Sequence, residues 1–418
     1  MTSPRTQVRA WCLYDWANSA FATTVVSAVL PPYFARVAAA GMDPATASAM
    51  WGYASSGFLL LAALVSPLVG AFAGSRGSAR TPFALAVGIG AVATGALFGA
   101  GSGDWLHLLV AYGIAFVCFS SATVLYDGLL PAVASPEQRD AVSTRGFAWG
   151  YAGGGLLLAL QAAWIAMPER FGFADAAVAS RWSFLTVAIW WALFSVPLWR
   201  TAPPLPSDFR EGITHPWHRL KRALKVQGPE KQAWRFLFAY WLFNDVVGTV
   251  AKMATVYGAA LGFGTAGLVG ALLVVQFLAI PFTLLAGRLA RRFGPRPIIL
   301  AGLGVYGVVL VFGSFMSEPW HFWVLAGLVA TAQGGVQSLS RSLFSRLVPE
   351  ASTGEMFGFY GVSEKIAGII GPLLFAVATQ WSGSPRAGTL ALFPPLIAGA
   401  WMLMRVRLPV PLASEPQT

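Results

Sequence analysis

Gly70-Ala-Phe-Ala-Gly-Ser-Arg-Gly77 and Gly287-Arg-Leu-Ala-Arg-Arg-Phe-Gly294 are two copies of one turn, with a glycine at each end and arginine between. Each turn separates two long apolar runs. Outward from the first copy, apolar segments lie at about 8–34, 50–72, 82–100, 105–131, 142–167 and 182–199. Outward from the second they lie at about 233–261, 266–289, 297–315, 320–343, 357–381 and 387–404. A bilayer-spanning helix needs about 20 predominantly apolar residues. The pattern therefore predicts six spans before a polar insert and six after it.

Composition agrees. The chain of 418 residues is 56% hydrophobic and 11% charged, with a mean hydropathy of +0.63. Soluble domains carry about 25% charge, and a chain this apolar would insert or collapse rather than stay disordered. The 45 glycines and 27 prolines are tolerated in membrane helices, where neighbouring groups satisfy the freed backbone. The expected fold is an all-α membrane protein of twelve transmembrane helices in two pseudo-symmetric six-helix bundles. The expected boundaries are 1–200 for the first bundle, 201–232 for a cytoplasmic linker, 233–408 for the second bundle and 409–418 for a cytoplasmic tail.

A formal charge of +11 would suit a nucleic-acid partner, but the positions of the basic residues give another explanation. With the N-terminus in the cytoplasm, Arg36, Arg170, Arg181 and Arg386 fall on the opposite side and Lys252 and Lys365 within spans. The remaining Lys and Arg residues all fall on the cytoplasmic side, which predicts cytoplasmic termini. The charge is topology, and no nucleic acid is needed. The basic cluster Arg210, Arg219, Lys221, Arg222, Lys225 and Lys231 in the insert is a positive-inside loop that could also touch anionic lipid headgroups. The first apolar run has no small-residue cleavage pattern, so it reads as a retained span without a separate signal peptide.

The halves also match internally. Tyr14 and Asn18 correspond to Tyr240 and Asn244. Pro131, Glu137, Gly150 and Gly153 correspond at one constant offset to Pro349, Glu355, Gly368 and Gly371. Parallel repeats with an even number of spans imply a pseudo-two-fold axis along the membrane normal, with a cavity between the halves.

Charges inside spans cost about 2.5–3.5 kcal/mol each on insertion scales, so they need a partner, water or a task. Asp15 and Asn18 lie one turn apart on a face of the first span, and Asn244 with Asp245 occupy the matching depth of the seventh. The four are expected to face the opposite half. Asp245 and Lys252, two turns apart, suit either a structural ion pair or two ends of a substrate site. Glu364 and Lys365 point about 100° apart on the eleventh span, so one should face the cavity. Gln333 and Gln337 offer neutral hydrogen bonds or interhelical glue. Asp127 near Pro131, and Arg341 and Arg346 toward the cytoplasmic end of the tenth span, suit a gate or snorkelling contact. A desolvated carboxylate can take up and release a proton as access alternates. Asp15 and Asp245 are the first candidates for such coupling and Glu364 the next, with sodium as the alternative ion. Trp11, Trp16, Trp51, Trp105, Trp320 and Trp381 near span ends read mostly as an interfacial belt, with Trp16 as a candidate exception.

The paired turns resemble the signature loop of the major facilitator superfamily, G-x-L-a-D-r-x-G-r-r. Its aspartate is replaced by Gly74 and Arg291 in the two copies. Tyr14-Asp-Trp-Ala-Asn-Ser-Ala-Phe21, Gln333-Gly-Gly-Val-Gln-Ser-Leu-Ser-Arg-Ser-Leu-Phe344 and Phe357-Gly-Phe-Tyr360 resemble the vacuole-effluxer-like branch of that superfamily. The resemblance implies a twelve-helix secondary transporter working by alternating access, and export of an amino acid or similar small polar solute. It places Gly70, Gly77, Gly287, Arg288 and Gly294 among the gating elements, to which the depth of Asp127 and Arg341 adds those two residues. The expected partners are a small-molecule substrate, a proton and membrane lipid. The protein is expected to act as a monomer in a bacterial inner or plasma membrane.

An enzyme would need a nucleophile with a base, a metal constellation or a cofactor loop. Cys12 and Cys118 stand alone in apolar runs, His107 and His321 sit at outer span ends, and His215 and His218 lie in the insert. No metal or cofactor is expected. The remaining alternative is a non-transporting receptor or scaffold, in which the intramembrane polar residues only hold helices together.

Overall fold

A computed structural model describes residues 3–205, 221, 230–260 and 265–408. Twelve long helices cross the molecule. The first is α1, Pro4–Ala38, and α2 is Pro44–Arg76. They are followed by α3 (Arg80–Ala96), α4 (Trp105–Gly128), α5 (Arg139–Ala166) and α6 (Ala176–Thr201). The second set is α7 (Glu230–Ala260), α8 (Thr265–Phe293), α9 (Pro295–Ser314), α10 (Pro319–Leu347) and α11 (Thr353–Ser382). The last, α12, is Arg386–Met404. Ten are long and apolar enough to span a membrane by composition alone, and α5 and α7 complete the twelve. Most of the insert, including Arg210, Arg219, Arg222, Lys225, His215 and His218, lies outside the described residues, as do the 409–418 tail and the Lys252 side chain.

Without water in the hydrocarbon layer, backbone groups must be satisfied within the chain, and helices do this locally. Their ends are built from ordinary capping chemistry. Asp43 accepts from Thr46 N at 3.1 Å ahead of α2, and Asp175 accepts from Val178 N at 2.8 Å ahead of α6. Proline stands in the first turn of α2, α9 and α10, where its missing N–H costs nothing. Gly77 ends α2 at φ 61° and Gly294 precedes α9 at φ 82°, so the outer glycine of each repeated turn is there for a positive φ. Within α1 the stretches Phe21–Val29 and Phe34–Ala38 are π-wound on either side of Pro31 and Pro32. Prolines remove donors, and the widened winding is how the helix accommodates them.

Buried side chains divide into one large cluster running from Trp11 to Leu205 and another from Ala233 to Val406. Many large apolar residues face outward, among them Leu64, Val92, Leu193 and Ile397, as expected where lipid rather than water is the solvent. Gln7 Nε2 donates to Thr201 O near the start of α1, and Arg407 N donates to Gln232 Oε1 after α12. Both ends of the described chain therefore lie on the face where α6 ends and α7 begins, hereafter the termini face.

The two halves meet mainly through α2 against α11 and α5 against α8 and α10. Near the termini face α2 and α11 touch backbone to backbone. A Cβ on Gly354 would stand 2.5 Å from Gly70 O, and one on Gly358 would stand 2.6 Å from Pro67 Cα. Gly70 with Gly74, and Gly354 with Gly358, form small residues four apart on facing helices, the spacing that lets membrane helices approach closely. Position 74, where the resemblance led to expect aspartate, is buried in this contact, and a Cβ on Gly354 would lie 3.3 Å from Gly74 Cα.

Candidate functional site

The centre of the seam between the halves is Arg341. It lies in the last third of α10, whose run Ser338, Ser340, Ser342 and Ser345 is buried with it. Its guanidinium reaches three helices of the first half. Nη1 donates to Asp127 Oδ1 of α4 at 2.9 Å and Nη2 to Asp15 Oδ2 of α1 at 3.3 Å. Nε donates to Ser143 Oγ of α5 at 3.0 Å, and Nη2 also donates to Ser143 O at 3.1 Å. Asp15, Asp127 and Arg341 are only 7%, 4% and 3% exposed, so the attraction between them is poorly screened.

Aromatic rings enclose the cation. Arg341 Cζ lies 4.5 Å from the ring centroids of Trp11 and Phe147 and 5.2 Å from that of Tyr126. Such rings attract a cation electrostatically while excluding water. Tyr126 also donates from its hydroxyl to Asp15 Oδ2 at 2.6 Å, and Trp11 Nε1 donates to Tyr126 O at 3.0 Å. Gly146 makes the arrangement possible, because a Cβ there would meet Asp15 Oδ2 at 2.7 Å and Trp11 at 2.8 Å. Trp11 is fully buried and stacked on Tyr126, which corrects its assignment to the interfacial belt. Its indole is needed as a wall and a donor.

A second layer lies closer to the termini face. Arg346 Nη2 pairs with Asp140 Oδ2 at 2.5 Å, and Ser342 Oγ donates to Asp140 Oδ1. Arg139 Nη1 donates to Ser345 O at 2.8 Å, while Ser143 Oγ, in the Arg341 layer, donates to Ser338 O at 2.7 Å. Sequence reasoning missed Asp140 and Arg139. The available signal was a charged pair entering an apolar span beneath the polar face of α10, and from α5 alone it looks like an ordinary interfacial start.

The other named residues divide. Asp15, grouped by its depth with coupling and substrate residues, sits with Asp127 and Arg341 in one cluster. Asn18 is buried and accepts from Tyr14 Oη at 3.5 Å within its own helix. Asp245 packs against Gly371 of α11 in its own half, where a Cβ would stand 3.0 Å from the Asp245 carboxyl carbon. These contacts of Asn18 and Asp245 lie within their own halves. Asn244 is buried, and one turn away Gly248 has nothing described within 4 Å of its Cβ direction.

Glu364 and Lys365 are brought together despite their diverging Cα–Cβ directions, with Lys365 Nζ 3.6 Å from Glu364 Oε2. Long side chains close the gap that adjacency on a helix opens. Tyr240 of α7 donates to Glu364 Oε1 at 3.2 Å and stacks on Tyr360 at 4.6 Å. Lys365 is buried, whereas the Glu364 side chain is 30% exposed. Gln333 and Gln337 are half-buried on α10. Gly287 packs on Thr144 of α5, whereas Arg288 beside it is exposed. His107 Nε2 lies 2.8 Å from Ala96 O, and His321 Nδ1 accepts from Glu318 N at 2.9 Å, so both histidines secure helix ends.

The family model for vacuole effluxer Atg22 like proteins matches residues 37–409. An uncharacterized MFS-type transporter, YxiO, of Bacillus subtilis (strain 168) is 35% identical over 402 residues, covering 95% of this chain and 94% of the relative. Autophagy-related protein 22-1 of Phaeosphaeria nodorum is 26% identical over 63% of this chain, which spans about half of that longer relative, 53%. Among solved structures, the major facilitator transporter FucP in its outward conformation aligns with a TM-score of 0.73 at 10% identity, covering 95% of this chain and 97% of that one. The human organic anion transporter MFSD10 aligns with a TM-score of 0.72 at 15% identity, covering 96% and 100%. These are transporters, not enzymes. With its twelve helices and its match along nearly the whole length, the chain belongs to the vacuole effluxer Atg22-like family of major facilitator transporters.

Proposed function

We propose that the protein is a proton-coupled secondary transporter that works by alternating access and exports a small polar solute such as an amino acid. The Arg341 cluster is its gate. Both termini are assigned to the cytoplasm of a bacterial inner membrane, so the sealed termini face is the cytoplasmic one. The two halves, 1–200 and 233–408, rock as units about their seam. The observation that carries this reading is one guanidinium shared between Asp15 and Asp127 across the halves.

The arithmetic of charge supplies the coupling. Two carboxylates against one guanidinium leave a formal excess of negative charge, which holds Arg341 firmly. A proton taken by either carboxylate removes a charge-assisted bond and lowers the cost of separating the halves. Protonation from the outer side then favours opening to the cytoplasm, and proton loss there favours closing around a bound solute. This sequence gives antiport, hence export. Glu364 and Lys365, with Asn18, Asn244, Asp245, Gln333 and Gln337, are the proposed substrate-binding groups; the carboxylate and ammonium together suit a zwitterion. Sodium in place of the proton is an outcome the same assay distinguishes.

The test is flux in proteoliposomes of purified protein under an imposed pH or sodium gradient, with a panel of radiolabelled amino acids. Expected is uptake or efflux driven by the pH gradient, abolished in coupling but not in folding by Asp15→Asn or Asp127→Asn, with Glu364→Gln lowering solute affinity. Flux insensitive to the proton gradient in the wild type and in these variants overturns proton coupling. Asp245→Asn, at a proposed substrate-binding carboxylate, should lower solute affinity and leave the response to the pH gradient in place.

A further inference from the structure

The outer flank of the second half, away from the seam, holds a cavity of about 660 Å³ at the termini face. Its walls include Arg235 of α7, Arg296 of α9, Trp401 and Met404 of α12, and Arg405 and Arg407 just beyond. We propose that this cavity binds the headgroup of an anionic glycerophospholipid from the surrounding leaflet.

Four arginines line one space, and among the described residues no carboxylate lies within ion-pair reach of any of them. Like charges gathered without neutralisation repel one another unless an anion is present. Two of the four side chains are held in place. Arg296 Nη1 donates to Val406 O at 3.0 Å and to Met404 O at 3.3 Å, and Arg405 stacks on Trp401 at 3.7 Å. The backbone of Arg407 is tied to Gln232. Arg296 also covers carbonyls at the C-terminal end of α12, whose negative pole would otherwise repel an anion.

The flank argues for a lipid rather than a free anion. Trp401 and Met404 are 48% and 54% exposed beside the arginines at the end of a span. Apolar surface adjoining a basic pocket at that depth matches the junction of headgroup and acyl chain. A soluble phosphate would use the arginines and leave that surface bare. The volume falls within the roughly 300–1,000 Å³ of small-molecule sites.

The experiment uses the full-length protein in mild detergent, with native mass spectrometry for bound lipid and thermal unfolding for protection. The probes are dioleoyl phosphatidylglycerol, dioleoyl phosphatidylcholine and glycerol 3-phosphate. Phosphatidylglycerol is expected to bind and raise the unfolding temperature, and the other two to do neither at equal concentration. Each surface arginine is worth about five-fold in affinity for an anionic lipid, so Arg235→Gln with Arg407→Gln should weaken binding on the order of 25-fold. Arg170→Gln, an exposed charge on the opposite face, should change nothing. If the double variant does not fold, Arg235→Gln alone, which loses no described contact, should show the five-fold effect. Phosphatidylglycerol binding unchanged in these variants overturns the site. Protection by glycerol 3-phosphate equal to that by the lipid overturns the lipid assignment in favour of a soluble phosphate ligand.

Discussion

Replacing Arg341 by glutamine should release the termini-face seam. The side chain makes four hydrogen bonds to the first half, at 2.9, 3.0, 3.1 and 3.3 Å, two of them to carboxylates. Glutamine cannot reach three helices at once and brings no charge. Asp15 keeps the Tyr126 hydroxyl, but Asp127 is left as a buried carboxylate without its cation. Removing one partner of a buried ion pair costs about 3–5 kcal/mol. Because the pair bridges two bodies, the cost falls on the closed arrangement and is relieved when the halves part. The closed-to-open ratio should therefore drop by a factor on the order of a hundred to a few thousand. Spin labels at Arg76 of α2 and Glu350 ahead of α11, both exposed on the termini face, report this in a background lacking Cys12 and Cys118. A single short distance in the parent should give way to a longer one in Arg341→Gln. Adding Asp15→Asn and Asp127→Asn should restore much of the short population, since neutral amides need no counter-ion. An unchanged distance distribution in Arg341→Gln would refute the cluster as a gate.

Two further perturbations separate the layers of the seam. Gly358→Val places a side chain where the nearest atom is Pro67 Cα of the facing backbone, so neither helix can yield by a rotamer change. Overpacking of about 1–3 kcal/mol should open the same label pair and slow flux without altering solute affinity. By contrast, Arg346→Gln removes an ion pair whose arginine side chain is 27% exposed, and the buried Asp140 it leaves keeps the Ser342 hydroxyl. Its effect on the label distances should stay near 1 kcal/mol, well below that of Arg341→Gln. Equal effects would mean that the two layers act as one.

The spans were legible because bilayer thickness imposes a length that hydropathy reveals directly, and the paired turns 70–77 and 287–294 gave the repeat. Arg341 and Asp127 were visible as charges near span ends. What could not be read was their partner. Helical periodicity assigns Asp15 a face but not the helix across from it, and its contact with Arg341 joins residues far apart in the chain. The family resemblance made Gly74 look like a lost aspartate. The facing helix shows its setting, since Gly354 packs closely against the Gly74 backbone. Asp140 was silent for the opposite reason, because an acid at the first turn of a helix has a sufficient local explanation in the helix dipole. Trp11 was misread because sequence depth cannot distinguish a ring at the headgroups from one turned into a core.

The contact between α2 and α11 has a kinetic meaning as well. Glycine has no side-chain rotamers to surrender, and ordering a long side chain forfeits up to about 2 kcal/mol of entropy each time. A strip made of Gly70, Gly74, Gly354 and Gly358 can be parted and rejoined without that recurring loss. Closure along that strip then needs only two smooth rods to come back into register, and the directional search is left to the guanidinium groups of Arg341, Arg346 and Arg139.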